Sequence, residues 1–123
     1  MNGPPAPILD AEAQRYVYDD FDPVFARLSL QRVSLDYYPE SFNVVARYES
    51  HKLRVSAIRD RGRWELNIAA PSDGEGQELE SILDFLDSQG IEYRRGAASL
   101  ARRIEANFEI LCDLFSPAKY SSF

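Results

Sequence analysis

Hydrophobic positions change period twice along the chain, from helical to alternating and back to helical. Ala13, Val17, Phe21, Val24 and Leu28 recur at three- and four-residue steps, the spacing that lines one face of a helix. This predicts helix across residues 11–28, broken at Asp22-Pro23, because an acceptor followed by proline starts a helix and the residue before proline disfavours the α region. From residue 30 to 70 the period is two: Leu35 and Tyr37 alternate with Ser34 and Asp36, and Val44, Ala46 and Tyr48 with Val45, Arg47 and Glu49. Strands are expected at 30–38, 43–50, 52–60 and 63–70.

Turn chemistry supplies a register. A two-residue turn at Ser50-His51 sets Tyr48 opposite Leu53, Ala46 opposite Val55 and Val44 opposite Ala57. A second turn at Arg61-Gly62, with glycine supplying positive φ, sets Ala57 opposite Leu66 and Val55 opposite Ile68. Both hairpins place the same side chains on one side, so Tyr48, Val55 and Leu66 should be buried and Arg47 and Arg54 should point outward.

Pro71-Ser72-Asp73-Gly74-Glu75-Gly76 reads as a loop that ends the sheet. Leu79, Ile82, Leu83 and Leu86 then give an amphipathic helix closed by Gly90. Leu100, Ile104, Phe108, Leu111 and Phe115 form a longer apolar stripe that stops at Ser116-Pro117. Helices with one apolar stripe before and after an antiparallel run imply an α+β fold. The expected architecture is a four-stranded antiparallel β-meander with α-helices packed on one face, in two layers.

At 123 residues the chain is one domain's length, so residues 10–123 read as a single α+β domain. Residues 1–9, with Pro4-Pro5-Ala6-Pro7, read as a flexible arm. A hydrophobic share of 45% against 28% charged is that of a globular protein rather than a disordered or membrane one. No apolar run is long enough to span a bilayer, and the first residues lack a secretory pattern, which gives a cytoplasmic expectation. The lone Cys112 forms no internal disulfide, in keeping with a reducing compartment.

The net charge of −6 is unevenly distributed: residues 1–26 carry −4, 27–71 carry +3, 72–92 carry −7 and 93–123 carry +2. An acidic surface repels a phosphate backbone and steers a basic protein. Direct nucleic-acid binding is therefore not expected, and no membrane partner is indicated.

Candidate chemistry is sparse. His51 falls in a hairpin turn, where the orienting carboxylate and nucleophile a general base needs are not supplied. Cys112 reads as a small helical filler. One His and one Cys cannot assemble a zinc site, and no cofactor is implied. Gly74-Glu75-Gly76 is surrounded by acid and lacks the lysine of a phosphate loop, and no nucleophile elbow is present. The expectation is a protein that is not an enzyme and has no catalytic or metal-ligating residues.

Two surfaces remain as candidate binding sites. The acidic block Asp73, Glu75, Glu78, Glu80, Asp84, Asp87 and Glu92 contains no base. Acid at the start of its helix complements the dipole, but Asp84 and Asp87 near the end oppose it. Partner binding is assigned to Asp73, Glu75, Glu78, Glu80, Asp84 and Asp87, with Asp19, Asp20 and Asp22 as a second acidic region. The alternative is the outward sheet side, which in the expected register carries Arg32, Arg47, Arg54, Ser56, Glu65 and Asn67, with Arg47 directly opposite Arg54; the partner-binding set there is Arg47, Arg54 and Arg63. Only Tyr38 points outward for stacking, unlike an RNA-reading sheet.

Tyr38-Pro39-Glu40-Ser41-Phe42, Tyr48-Glu49-Ser50 with Leu53-Arg54, Arg59-Asp60-Arg61-Gly62 and Leu114-Phe115-Ser116-Pro117 resemble a group of small bacterial proteins often encoded beside polymorphic toxins. The resemblance spans residues 22–118 and implies an immunity protein. Its motifs are hairpins and loops, so no functional residue is carried over. The resulting expectation is an antitoxin-like protein that occludes a basic cognate toxin, one acting on nucleic acid or a nucleotide. A regulatory or adaptor module using the Arg-lined sheet side is the alternative, and a small enzyme the third.

Overall fold

In the computed structural model, which describes residues 11–38, 43–60, 62–71, 76–93 and 99–116, the N-terminal helical run continues through Asp22 instead of breaking there. The expected arm at residues 1–9 lies outside the described residues. Helix α1 (Ala11–Tyr16) leads into a π-helical turn (Val17–Phe21) and then α2 (Asp22–Arg27). Asp22 is helical at φ −55°, ψ −49°, and its N–H donates to the Val17 carbonyl five residues back. This widened turn stands immediately before Pro23, whose ring has no N–H to continue the ordinary ladder. The Asp22 carboxylate therefore makes no cap and is engaged by the sheet instead. Val17, Phe21, Val24 and Phe25 are buried.

The sheet is antiparallel and open, in the order β1 (Gln31–Tyr38), β2 (Asn43–Glu49), β3 (Arg54–Asp60), β4 (Arg63–Ala69) and β5 (Gln77–Glu78). It has five strands where four are expected, because the two residues ahead of the acidic helix pair Gln77 with Ile68 and Glu78 with Asn67. The β3–β4 register is as expected, with Ala57 opposite Leu66 and Val55 opposite Ile68, and Gly62 at φ 79°.

The β2–β3 hairpin is displaced by two residues. Ser50 and Leu53 close it through Ser50 N–H to the Leu53 carbonyl at 2.9 Å, while the Ser50 hydroxyl accepts from the Lys52 and Leu53 amides, each at 3.1 Å. The tip is thus His51-Lys52, and Tyr48 faces Val55, Ala46 faces Ala57 and Val44 faces Arg59. A shift of two leaves every side chain on its expected side. It also separates the two arginines: Arg47 faces Ser56, and Arg54 faces Glu49. Tyr48, Val55 and Leu66 are buried, and Arg47 is exposed on the opposite side.

A bulge between Arg32 and Ser34 changes the expected side of one residue. With Val33 as the extra residue, Arg32 lies opposite Tyr48 and reaches Asp22 on the core side, so it does not belong to the outward side.

Helix α3 (Leu79–Ser88) buries Leu79, Ile82, Leu83 and Leu86. Gly90 at φ 70° follows it, and Ile91 N–H returns to the Leu86 carbonyl at 3.0 Å, a glycine-dependent stop. The long C-terminal stripe is two helices, α4 (Leu100–Ala106) and α5 (Phe108–Leu114), interrupted at Asn107 (φ −117°). The Ser99 hydroxyl caps α4 by accepting from the Arg102 amide. Asn107 is buried, and its side-chain amide donates to the Arg103 carbonyl at 3.0 Å, which satisfies a group freed by the break.

Buried residues of α2, α3, α4 and α5 join Ala46, Tyr48, Val55, Ala57, Leu66 and Ile68 in one cluster. Val45 and Ile58, from the outer side, do not belong to it. The helices therefore cover the same sheet side, and the fold is α+β with an antiparallel sheet.

Candidate functional site

Helix α3 presents its acid where its apolar stripe leaves room. With 79, 82, 83 and 86 inward, Glu80, Asp84 and Asp87 form an exposed row, each one turn from the next. Glu78 is also exposed, on β5. Asp73 and Glu75 lie outside the described residues.

Two carboxylates of the row have partners among the described residues. Arg103 of α4 donates from Nη1 to Glu80 Oε1 at 2.6 Å. The Tyr93 hydroxyl donates to Asp87 Oδ2 at 2.8 Å, holding that carboxylate beside the helix end, where the dipole disfavours it. A shallow cavity of about 560 Å³ follows, lined by Asp87, Gly90, Ile91, Glu92 and Tyr93. Ile91 is 42% exposed there, giving the acidic end an apolar neighbour.

The alternative arginines do not form one patch. Arg47 Nη1 donates to Asp36 Oδ2 at 3.0 Å, across the β1–β2 pair. Arg54 Nε donates to the Ala70 carbonyl at 3.0 Å, so this guanidinium lies along the sheet rather than standing out from it. Arg63 faces Asp60 at the other end of β3 and β4. The outer side is a mixed-charge surface in which each arginine has its own oxygen acceptor or acidic neighbour.

One constellation is absent from the sequence reading. The Tyr48 hydroxyl donates to Asp22 Oδ1 at 2.6 Å, and Arg32 Nε donates to the same carboxylate at 3.2 and 3.3 Å. Tyr18 lies over the Arg32 guanidinium, 5.4 Å from ring centroid to Cζ. A shallow cavity of about 450 Å³ adjoins, lined by Asp22, Arg32 and Tyr48 with Ala26, Ser29, Leu30 and Gln31. Burial, and then the Asp22 carboxylate, push the Tyr48 hydroxyl well above the ordinary tyrosine value. At neutral pH the group is a fixed donor, tying α2 to β2. The signal available in the sequence is Tyr48 itself, since a buried tyrosine requires an acceptor for its hydroxyl.

His51 is exposed at the hairpin tip. Cys112 is half-buried, and burial raises its thiol, which keeps it protonated and a poor nucleophile. Among the described residues no three His, Cys, Asp or Glu side chains are grouped to hold a metal, and no helix is long and apolar enough to cross a membrane. His51→Ala and Cys112→Ser are expected to leave thermal unfolding within about 0.5–1 kcal/mol of the parent and partner binding unchanged. Loss of binding by a folded variant of either kind would return chemistry to that residue.

Comparison with protein-family models, with curated proteins and with solved structures finds no match for the chain.

Proposed function

We propose that this protein is an immunity-type inhibitor acting in the cytoplasm, one that neutralises a basic protein toxin by stoichiometric occlusion and performs no catalysis of its own. The observation that carries this reading is the exposed row Glu80, Asp84 and Asp87 on α3, flanked by exposed Glu78 and Glu92, with Arg103 paired to Glu80. Helix stability does not call for acid near the C-terminal end of α3. A toxin that handles nucleic acid or a nucleotide carries basic groups around its cleft, and complementary charge accelerates its capture. The resemblance to immunity proteins points the same way.

The test pairs the chain with the product of a toxin gene adjacent to its own. Reversing Glu80, Asp84 and Asp87 to Lys is expected to slow association about tenfold or more at low salt and much less at high salt, with rescue of growth lost in parallel. A control reversing Arg47, Arg54 and Arg63 to Glu should associate at the parental rate. If the control loses binding while the α3 variant retains it, the interface is the sheet side and the regulatory or adaptor reading replaces this one. Absence of any equimolar complex would overturn the inhibitor reading itself.

A further inference from the structure

The two edges of the sheet are protected unequally. One ends in β5, two residues long, the kind of short edge that offers little to an incoming strand. The other is β1, eight residues long, with β2 as its one strand neighbour among the described residues. β1 contains no proline and no lysine, and its defence is the bulge at Val33. Exposed apolar surface gathers at this edge. Of the four large hydrophobic side chains exposed among the described residues, Val33 (54%) and Tyr38 (39%) lie on β1, and Tyr18 lies over Arg32 at its start. Leu35 points to the core side and packs against the cluster, yet is only half-buried.

We propose that β1 is a homodimerisation edge, two copies pairing antiparallel about a two-fold axis through Leu35 and joining their sheets into one. The occupant is argued from complementarity. A two-fold antiparallel pair keeps both core sides on the same face only if the axis passes through a residue, and not between two. An axis through Asp36 sets the two Asp36 carboxylates opposite each other, a destabilising like-charge pair. An axis through Ser34 brings the Val33 bulge into the centre of the ladder, where it interrupts pairing. An axis through Leu35 sets Leu35 against its own copy, Ser34 against Asp36 and Val33 against Tyr37, which opposes no like charges and leaves the bulge at the end. Leu35 and Val33 then gain the cover that the single chain does not give them. The acidic row stays open, since α3 packs on β4 and β5 at the opposite edge of the sheet.

Sedimentation of the full-length chain from micromolar to millimolar concentration tests the proposal, and a reversible monomer–dimer equilibrium is the expected result. Val33→Asp changes an exposed side chain and should leave the circular dichroism and thermal unfolding of the monomer intact while weakening association at least about tenfold. In a Cys112→Ser background, Leu35→Cys should oxidise to a disulfide-linked dimer, because paired residues on the axis bring their Cβ atoms to about 4.5–5.5 Å. Glu80→Cys in the same background should stay monomeric under the same oxidation. A chain that remains monomeric throughout this range overturns the proposal. So does a dimer that Val33→Asp does not weaken, or that crosslinks through residue 80 and not residue 35.

Discussion

Replacing Phe21 with alanine is expected to lower the unfolding free energy by about 3–5 kcal/mol, the range for deleting a large buried aromatic side chain. Phe21 is fully buried and meets three other aromatic rings. It stacks on Phe25 at 5.7 Å, meets Trp64 edge-on at 5.0 Å and tilts against Tyr16 at 5.1 Å. Alanine leaves a void bounded by the π-helical turn, α2 and β4, and a helix fixed by neighbours on both sides cannot collapse into it. A domain of this size has only about 5–15 kcal/mol in total, so the variant should sit near the edge of folding. Urea unfolding followed by circular dichroism measures the loss. Phe21→Leu, which retains most of the volume, should cost less than half as much. If the two variants cost the same, the loss comes from the ring contacts and not from the void.

The second large effect is on the alkaline limit of stability. Tyr48 has its hydroxyl raised above the ordinary 10.0, first by burial and then by the Asp22 carboxylate that accepts its proton, with Arg32 opposing. A raised value means the folded state holds the proton more tightly than the unfolded chain. The stabilisation is therefore complete below about pH 10 and is lost as pH rises toward the folded value, at about 1.4 kcal/mol per pH unit for one group. Tyr16, raised mainly by burial and then by Asp20, adds a loss in the same direction. Tyr48→Phe should cost about 1.5–3 kcal/mol at neutral pH, the worth of a hydrogen bond to a charged group. It should also flatten the decline above pH 10, leaving the Tyr16 contribution. Equilibrium unfolding from pH 8 to about pH 11 separates the two effects. A parent and variant with parallel profiles would show that Tyr48 ionises no differently in the two states.

How far these features could be read from residue order depends on the range of the interaction responsible. Alternation determines which side of a strand a residue occupies, but it is unchanged by a shift of two. The β2–β3 hairpin shows this: the sides are as expected while the tip moves from Ser50-His51 to His51-Lys52. No glycine marks that turn, and the Ser50 hydroxyl closes it, whereas Gly62 anchors the next one. Asp22-Pro23 satisfies the local rule for a helix start. The rule is overridden because Tyr48 and Arg32, distant in sequence, compete for the same carboxylate. Arg32 leaves the outward side because of the bulge at Val33, which strict alternation does not reveal. At the candidate site, the acidic row was legible because helical spacing alone brings Glu80, Asp84 and Asp87 together. The pairing of Glu80 was not, since Arg103 arrives from another helix.

The chain's single tryptophan occupies an informative place. Trp64 stacks on Tyr16 at 5.5 Å and meets Phe21 edge-on, so its indole senses the docking of the first helical run on the sheet. Its emission is a built-in optical gauge of that joint, separate from the far-ultraviolet signal of the whole backbone. If the N-terminal helices peel away before the sheet melts, fluorescence will change first, and the domain can be followed as two cooperative parts without a label.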